Sequence, residues 1–188
     1  MKVKEIEPEI LVLEYRQEPD DEEYGSCLWA RFYFNLDNGE LMIMSDCGNY
    51  GYRWGKPGNE SFLELMARVG SGYLKEKLCG RPKEFDYDAT KERFYKYAEE
   101  PEDRAKLDEI FEEIEIEYEP ESGEAFLRMF DELNVDDHNH AIFCDTWEYP
   151  VYVYTPQQNR ICEIFKEHIQ PEIRRLVKEA KEDIDNAT

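Results

Sequence analysis

Apolar and polar positions alternate with a period of two in separate segments of the first fifty residues, broken by a polar loop at Asp20 to Gly25, then change to a period of three to four. Glu9 to Arg16 alternates and is β-branched or aromatic, which predicts a strand. Cys27 to Leu36 predicts a second, strongly aromatic strand. Asp37-Asn38-Gly39 turns the chain, and Glu40 to Asp46 returns as its hairpin partner. Gly48 to Trp54 extends the sheet past a glycine-marked bend, so an antiparallel meander of three or four strands is expected.

Helical spacing follows. A helix is expected from near Asn59, with Ser61 and Glu64 in the form of a capping box and Phe62, Leu65, Met66 and Val69 as its apolar stripe. Gly70-Ser71-Gly72 interrupts it, and Tyr73 to Cys79 resumes before Gly80 and Pro82 end it. Asp88 is placed to cap a helix through Tyr97, Pro101 to open another, and Ser122 to cap one running to about Leu133. Residues 141 to 155 read as one or two strands. Thr155-Pro156 then starts a last helix whose stripe runs through Ile161, Ile164, Phe165, Ile169, Ile173, Leu176, Val177 and Ala180, with a kink expected at Pro171. The expected fold is α+β: an antiparallel sheet of about four to six strands, joining the N-terminal meander to strands near 141–155, packed against several helices. Without a repeat, linker or boundary signal, residues 1–188 are expected to form a single domain.

Charge changes this picture. The chain carries 45 Asp and Glu against 23 Lys and Arg, a net of −22. Residues 99 to 148 hold 19 acids and 3 bases, a net of −16, whereas the remaining 138 residues hold 26 acids and 20 bases, a net of −6. Such a block repels nucleic acid and anionic membranes and attracts basic surfaces. Acidity that serves only solubility is the plain alternative. No signal peptide is apparent, and no apolar stretch approaches the roughly 20 residues of a membrane span. A cytoplasmic protein, without a direct nucleic-acid or membrane partner, is expected; a homodimer is left open. Five cysteines, at 27, 47, 79, 144 and 162, are odd in number and lack CxxC spacing. That argues against a disulfide framework or zinc knuckle and for small buried hydrophobes.

The block has its own pattern. Between Pro101 and Glu119, Leu107, Ile110, Phe111, Ile114 and Tyr118 fall on one helical face, and Asp108, Glu109, Glu112, Glu113, Glu115, Glu117 and Glu119 cover the rest. Acids three and four apart on a helix lie roughly 5–6 Å from one another, close to the repeat of backbone phosphates. This face can imitate a nucleic-acid backbone to a protein that binds one; a merely solvated helix is the alternative. Ile116 projects among the acids, as suits an interface centre ringed by charge. The clean alternation of Ile114 to Glu119 leaves a strand open for that end. Tyr50, Tyr52 and Trp54 share one face if strand alternation continues past the bend, either packing beneath the helix near Asn59 or meeting a partner.

Catalytic motifs are sparse. There is no phosphate-binding P-loop, dinucleotide fingerprint, nucleophile elbow or HExxH sequence. Asp136-Asp137-His138-Asn139-His140 offers Asp137, His138 and His140 to a divalent metal, although adjacent donors in a polar stretch are usually a loop. Asp46 beside Cys47 at a strand end suggests a nucleophile site, but no histidine is near in sequence, and packing is the expected role. No enzymatic activity, catalytic residue, cofactor or metal is expected.

Three segments carry a resemblance: Tyr24 to Ala30, Ser45 to Trp54 and Glu60 to Met66, with a weaker echo at Ile169-Gln170-Pro171-Glu172. Over about residues 24 to 80 the chain resembles a type II-A anti-CRISPR family encoded by phages and mobile elements. The resemblance implies an inhibitor whose partner is the type II CRISPR RNA-guided DNA nuclease, with or without its guide RNA. Such nucleases hold nucleic acid in basic channels, surfaces for which an acidic block can compete. The alternatives are an immunity protein or antitoxin against a basic nuclease toxin, and a metal-dependent enzyme using the carboxylates and histidines.

Overall fold

A computed structural model describes residues 5–55, 58, 60–117, 120–135 and 141–186. The fold is mixed α+β, with a four-stranded antiparallel sheet followed in the chain by the helices. The chain packs as two compact units. One combines residues 1–81 with 155–188, and the other is the contiguous segment Pro82–Tyr154. In sequence the second unit lies between the two parts of the first.

The first unit opens with a meander: β1 (Ile10–Arg16), β2 (Trp29–Asn35), β3 (Glu40–Ser45) and β4 (Gly48–Arg53), paired in that order. The register places Leu13 opposite Phe32 and Phe32 opposite Ile43, with Ile43 facing Tyr50. Leu11, Phe34, Leu41 and Tyr52 form the neighbouring row, so one apolar face results from strict alternation. At the β2–β3 turn Gly39 has φ 64°, and a Cβ there would meet the Gly55 carbonyl oxygen at 1.9 Å. Only glycine fits that approach.

Helices α1 (Phe62–Arg68) and α2 (Ser71–Cys79) cover this face. The capping box is present, with Ser61 and Glu64 satisfying each other's backbone N–H groups. Gly80, at φ 74°, ends α2 as expected. After the inserted unit, α6 (Pro156–Ile164) starts from a Thr155 cap, followed by a π-helical turn (Phe165–Ile169) and a further helix, α7 (Gln170–Asn186). Pro171 has no N–H to donate, and the helix accommodates it behind this turn, where the Gln170 N–H reaches back five residues to Phe165. Ile161, Ile164, Phe165, Ile169 and Ile173 are buried together with Phe32, Phe34, Leu41, Ile43, Phe62, Met66 and Leu74.

One polar group is fully enclosed in this unit. Gln170 is completely buried; its Nε2 donates to the carbonyls of Met66 and Val69, each at 2.9 Å, and its Oε1 accepts from Arg174 at 2.9 Å and Lys166 at 2.6 Å. Arg174 Nε donates to Ala67 at 2.8 Å. Carbonyls at the C-terminal end of α1, orphaned by the end of the helix, are satisfied from α7.

The second unit holds β5 (Glu84–Asp86), α3 (Tyr87–Tyr97), α4 (Pro101–Glu117), α5 (Gly123–Leu133), a 3₁₀ turn (Thr146–Glu148) and β6 (Val151–Val153). Its core is aromatic: Phe94 stacks on Phe130 at 4.3 Å and on Tyr149 at 4.2 Å, with Phe111 and Phe126 each 5.9 Å away. Two expectations are corrected here. The strand near 141–155 does not join the meander; β6 pairs with β5, Glu84 opposite Val153. Within 141–145 the only pairing among the described residues is a single bridge, Val135 to Ala141, because the Asn134 side chain occupies both the N–H and the carbonyl of Phe143. Helix α3 is capped by Asp86 rather than Asp88: Asp86 ends its strand in extended geometry and accepts from the Ala89 N–H at 2.8 Å.

Candidate protein interface

The acidic block and the inserted unit coincide. Residues 82–154 carry 23 acids against 7 bases, a net of −16. The charge is therefore a property of one folded body.

Within it, α4 buries one stripe completely, with Leu107, Ile110, Phe111 and Ile114 all at 2% exposure or less. Helical periodicity then forces the intervening positions outward. Asp108, Glu109, Glu112, Glu113 and Glu115 are exposed, and Ile116 is 71% exposed, one turn from Glu112 and Glu113. The ambiguous end is helical through Glu117. Glu119 and the Glu117 side chain lie outside the described residues, as does the 136–140 segment with its two histidines.

The acids are not equivalent. Asp108 accepts a hydrogen bond from Tyr95 Oη at 2.6 Å, and burial together with this carboxylate pushes the Tyr95 phenol up to about 12. Glu115 accepts from Lys91 at 2.5 Å and Tyr87 Oη at 3.3 Å; the Lys91 hydrogen bond holds its carboxyl below the usual range. These two belong to the packing of α4 against α3. Among the described residues Glu109 meets only Lys106, one turn back, at 3.2 Å. Among the described residues the carboxylates of Glu112 and Glu113 have neither an ion-pair nor a hydrogen-bond partner. Glu109, Glu112, Glu113 and Ile116 are thus the part of the predicted face open to another molecule.

Tyr50, Tyr52 and Trp54 belong to the first unit. Tyr50 is half-buried, donates through Oη to the Cys47 carbonyl at 2.8 Å and has its phenol pushed up to about 12 by burial. Trp54 packs on Phe62 of α1 at 5.8 Å and edge-on to Tyr52 at 4.7 Å. Tyr52 is 37% exposed and lies under the Lys77 ammonium, 5.6 Å from its ring centre. Tyr50 and Trp54 pack against the core of the first unit, whereas Tyr52 is exposed and touches the Trp54 ring edge and the Lys77 ammonium.

Sequence reasoning missed one convergence. The β2–β3 register sets Ala30 opposite Ser45, and beyond that pair Cys27 meets Asp46 and Cys47. Extending the hairpin ladder by three residues is the signal that would have found it. Burial pushes both thiols up. Asp46 is drawn upward by its partial burial, but N–H groups of Leu28 and Trp29 and the Cys27 thiol hold it lower overall.

Among the described residues no helix is long and apolar enough to cross a membrane. No curated protein and no solved structure gives a significant match to the chain. A family model does match, over residues 1–175, and by that match the chain belongs to the phage family Phage_phiTE_072.

Proposed function

We propose that this phage protein acts by binding rather than by turnover, as an inhibitor that presents α4 to a basic, nucleic-acid-binding protein. The observation that carries this reading is the position of Ile116: an apolar side chain, 71% exposed, beside the unpartnered carboxylates of Glu112 and Glu113. An aliphatic anchor within a ring of acids matches a surface that offers lysine or arginine around an apolar contact. The concentration of net charge in one folding unit supports the same reading, since it produces a local field that steers a basic partner. The resemblance over residues 24–80 makes the type II CRISPR effector nuclease the target to test first, with obstruction of its DNA binding or cleavage as the effect.

The test is binding of the full chain to that effector, with and without guide RNA, at low and high salt. Binding that weakens as salt rises, and falls at least tenfold in the Glu109→Lys, Glu112→Lys, Glu113→Lys triple variant at unchanged melting temperature, is expected. A folded triple variant that binds and inhibits fully removes the mimicry reading. Absence of effector binding at low salt removes the target.

A further inference from the structure

Cys27 is 1% exposed and Cys47 is 6% exposed, and their sulfur atoms together with a carboxylate oxygen of Asp46 lie within 4.8 Å of one another. The Cys27 thiol donates to Asp46 Oδ1 at 3.3 Å and the Cys47 thiol to the Ser26 carbonyl at 3.1 Å. Asp46 Oδ2 accepts from the Leu28 N–H at 2.9 Å, and Oδ1 accepts weakly from the Trp29 N–H at 3.4 Å. Packing alone does not require two buried sulfurs to converge on an ionised oxygen at a hairpin end. A hydrophobe at either cysteine would fill the space without placing a thiol against a carboxylate.

We propose that Cys27, Asp46 and Cys47 form a binding site for a thiophilic divalent ion of the zinc class. Zinc binds thiolate at about 2.3 Å and carboxylate at about 2.0–2.2 Å, which sets tetrahedral donors roughly 3.5–3.8 Å apart. The Cys27–Asp46 pair is already near that spacing. The ion takes the place of the thiol proton between Cys27 and Asp46, and the Cys47 proton leaves with it. One divalent ion enters and two protons are released, leaving a site charge of −1 when bound to two thiolates and one carboxylate. The Leu28 N–H remains on Oδ2 and fixes the carboxylate, as outer-shell partners of metal ligands do. Asp46 is the exposed member, so solvent reaches the fourth position from its side. Two thiolates favour zinc over magnesium or calcium.

The test uses the intact, reduced, metal-stripped chain. Cobalt(II) is expected to produce a thiolate-to-metal charge-transfer band that saturates at one equivalent, with two protons released and the band abolished by zinc. In the same wild-type protein, at a urea concentration where the metal-free Cys27 and Cys47 alkylate slowly through opening, zinc is expected to slow their reaction with iodoacetamide and to leave the reactivities of Cys79, Cys144 and Cys162 unchanged by mass spectrometry. Cys27→Ser is expected to weaken zinc binding more than about 100-fold, beyond the cost of an outer-shell change, whereas Cys79→Ser leaves it intact. The alkylation map needs no variant to fold. No charge-transfer band at stoichiometric cobalt, or protection mapped to other cysteines, overturns the proposal. A Cys27–Cys47 disulfide recovered under mild oxidant from protein that ignores cobalt likewise overturns it and makes the pair a redox element.

Discussion

The buried amide of Gln170 donates to the carbonyl of Val69 at 2.9 Å, across 101 positions of sequence. Both residues lie in the first unit, on either side of the inserted one. The bond is a joint between the two halves of a discontinuous fold.

Replacing Gln170 with Ala strips the Met66 and Val69 carbonyls of their donor in a buried place, and removes the acceptor of Lys166 Nζ and of Arg174 Nη2, while Arg174 Nε keeps Ala67. Each unsatisfied buried group costs about 1–3 kcal/mol. A loss of roughly 3 kcal/mol in urea unfolding is expected, with the binding proposed for α4 unchanged at temperatures where the chain remains folded. A loss below about 1 kcal/mol would mean that water replaces the amide.

Phe94 is 1% exposed and lies at the centre of the aromatic cluster of the second unit. Phe94→Ala is expected to cost about 3–5 kcal/mol. The effect should be local in hydrogen exchange, collapsing protection of α3, α4 and α5 before that of β2 and β3. Uniform loss across both units would show that they unfold as one.

Much of this architecture could be read from the chain. The meander, the Ser61–Glu64 box, the Ser122 and Thr155 caps and the buried stripe of α4 all follow from local rules acting within a few residues. What escaped depends on partners distant in sequence. Strands β5 and β6 have three residues each, too few to show a period, and Phe85 meets Tyr152 only through tertiary pairing. Gln170 reads as an ordinary polar position until the end of α1 is placed beside it. The cysteines look unrelated because their spacing counts residues, whereas the hairpin register sets their distance. On α4, periodicity separated the acids from the apolar stripe but could not show that Asp108 and Glu115 are spent on Tyr95, Tyr87 and Lys91.

Ile116 separates a binding role from a structural one. Ile116→Ala should leave unfolding free energy within about 0.5 kcal/mol, as surface changes usually do. Partner affinity should fall roughly tenfold, the loss expected of an interface anchor. Unchanged affinity would assign the face to solvation.

The Lys91–Glu115 contact has a definite pH signature. Glu115 has a carboxyl held below its unfolded-state value, so its contribution to stability is complete above the ordinary carboxylate range and is lost as pH falls through the folded pKa. Lys91→Ala should move the Glu115 carboxyl resonance midpoint upward towards the ordinary value in an NMR titration. An unmoved midpoint would show that the ammonium does not set it.

Tyr50 and Tyr52 should behave differently although they share a face. Tyr50→Phe removes only the bond to Cys47, a cost of about 1 kcal/mol. Tyr50→Ala adds loss of core contact and should lower the melting temperature clearly, whereas Tyr52→Ala, at a more exposed ring, should lower it less. Equal effects would mean that the sheet face is covered more evenly than the structure has it.

The interruption of the first unit by residues 82–154 also inverts the order of maturation during synthesis. Phe32, Phe34, Leu41 and Ile43 leave the ribosome early, yet the residues that seal them, Ile161 through Ile173, are translated more than a hundred codons later. The acidic body has all its core residues in one continuous stretch and can close as soon as Tyr154 has emerged, ahead of the sheet that precedes it. For that interval the core residues of the acidic segment are all available to one another, while the apolar sheet still awaits the residues that seal it.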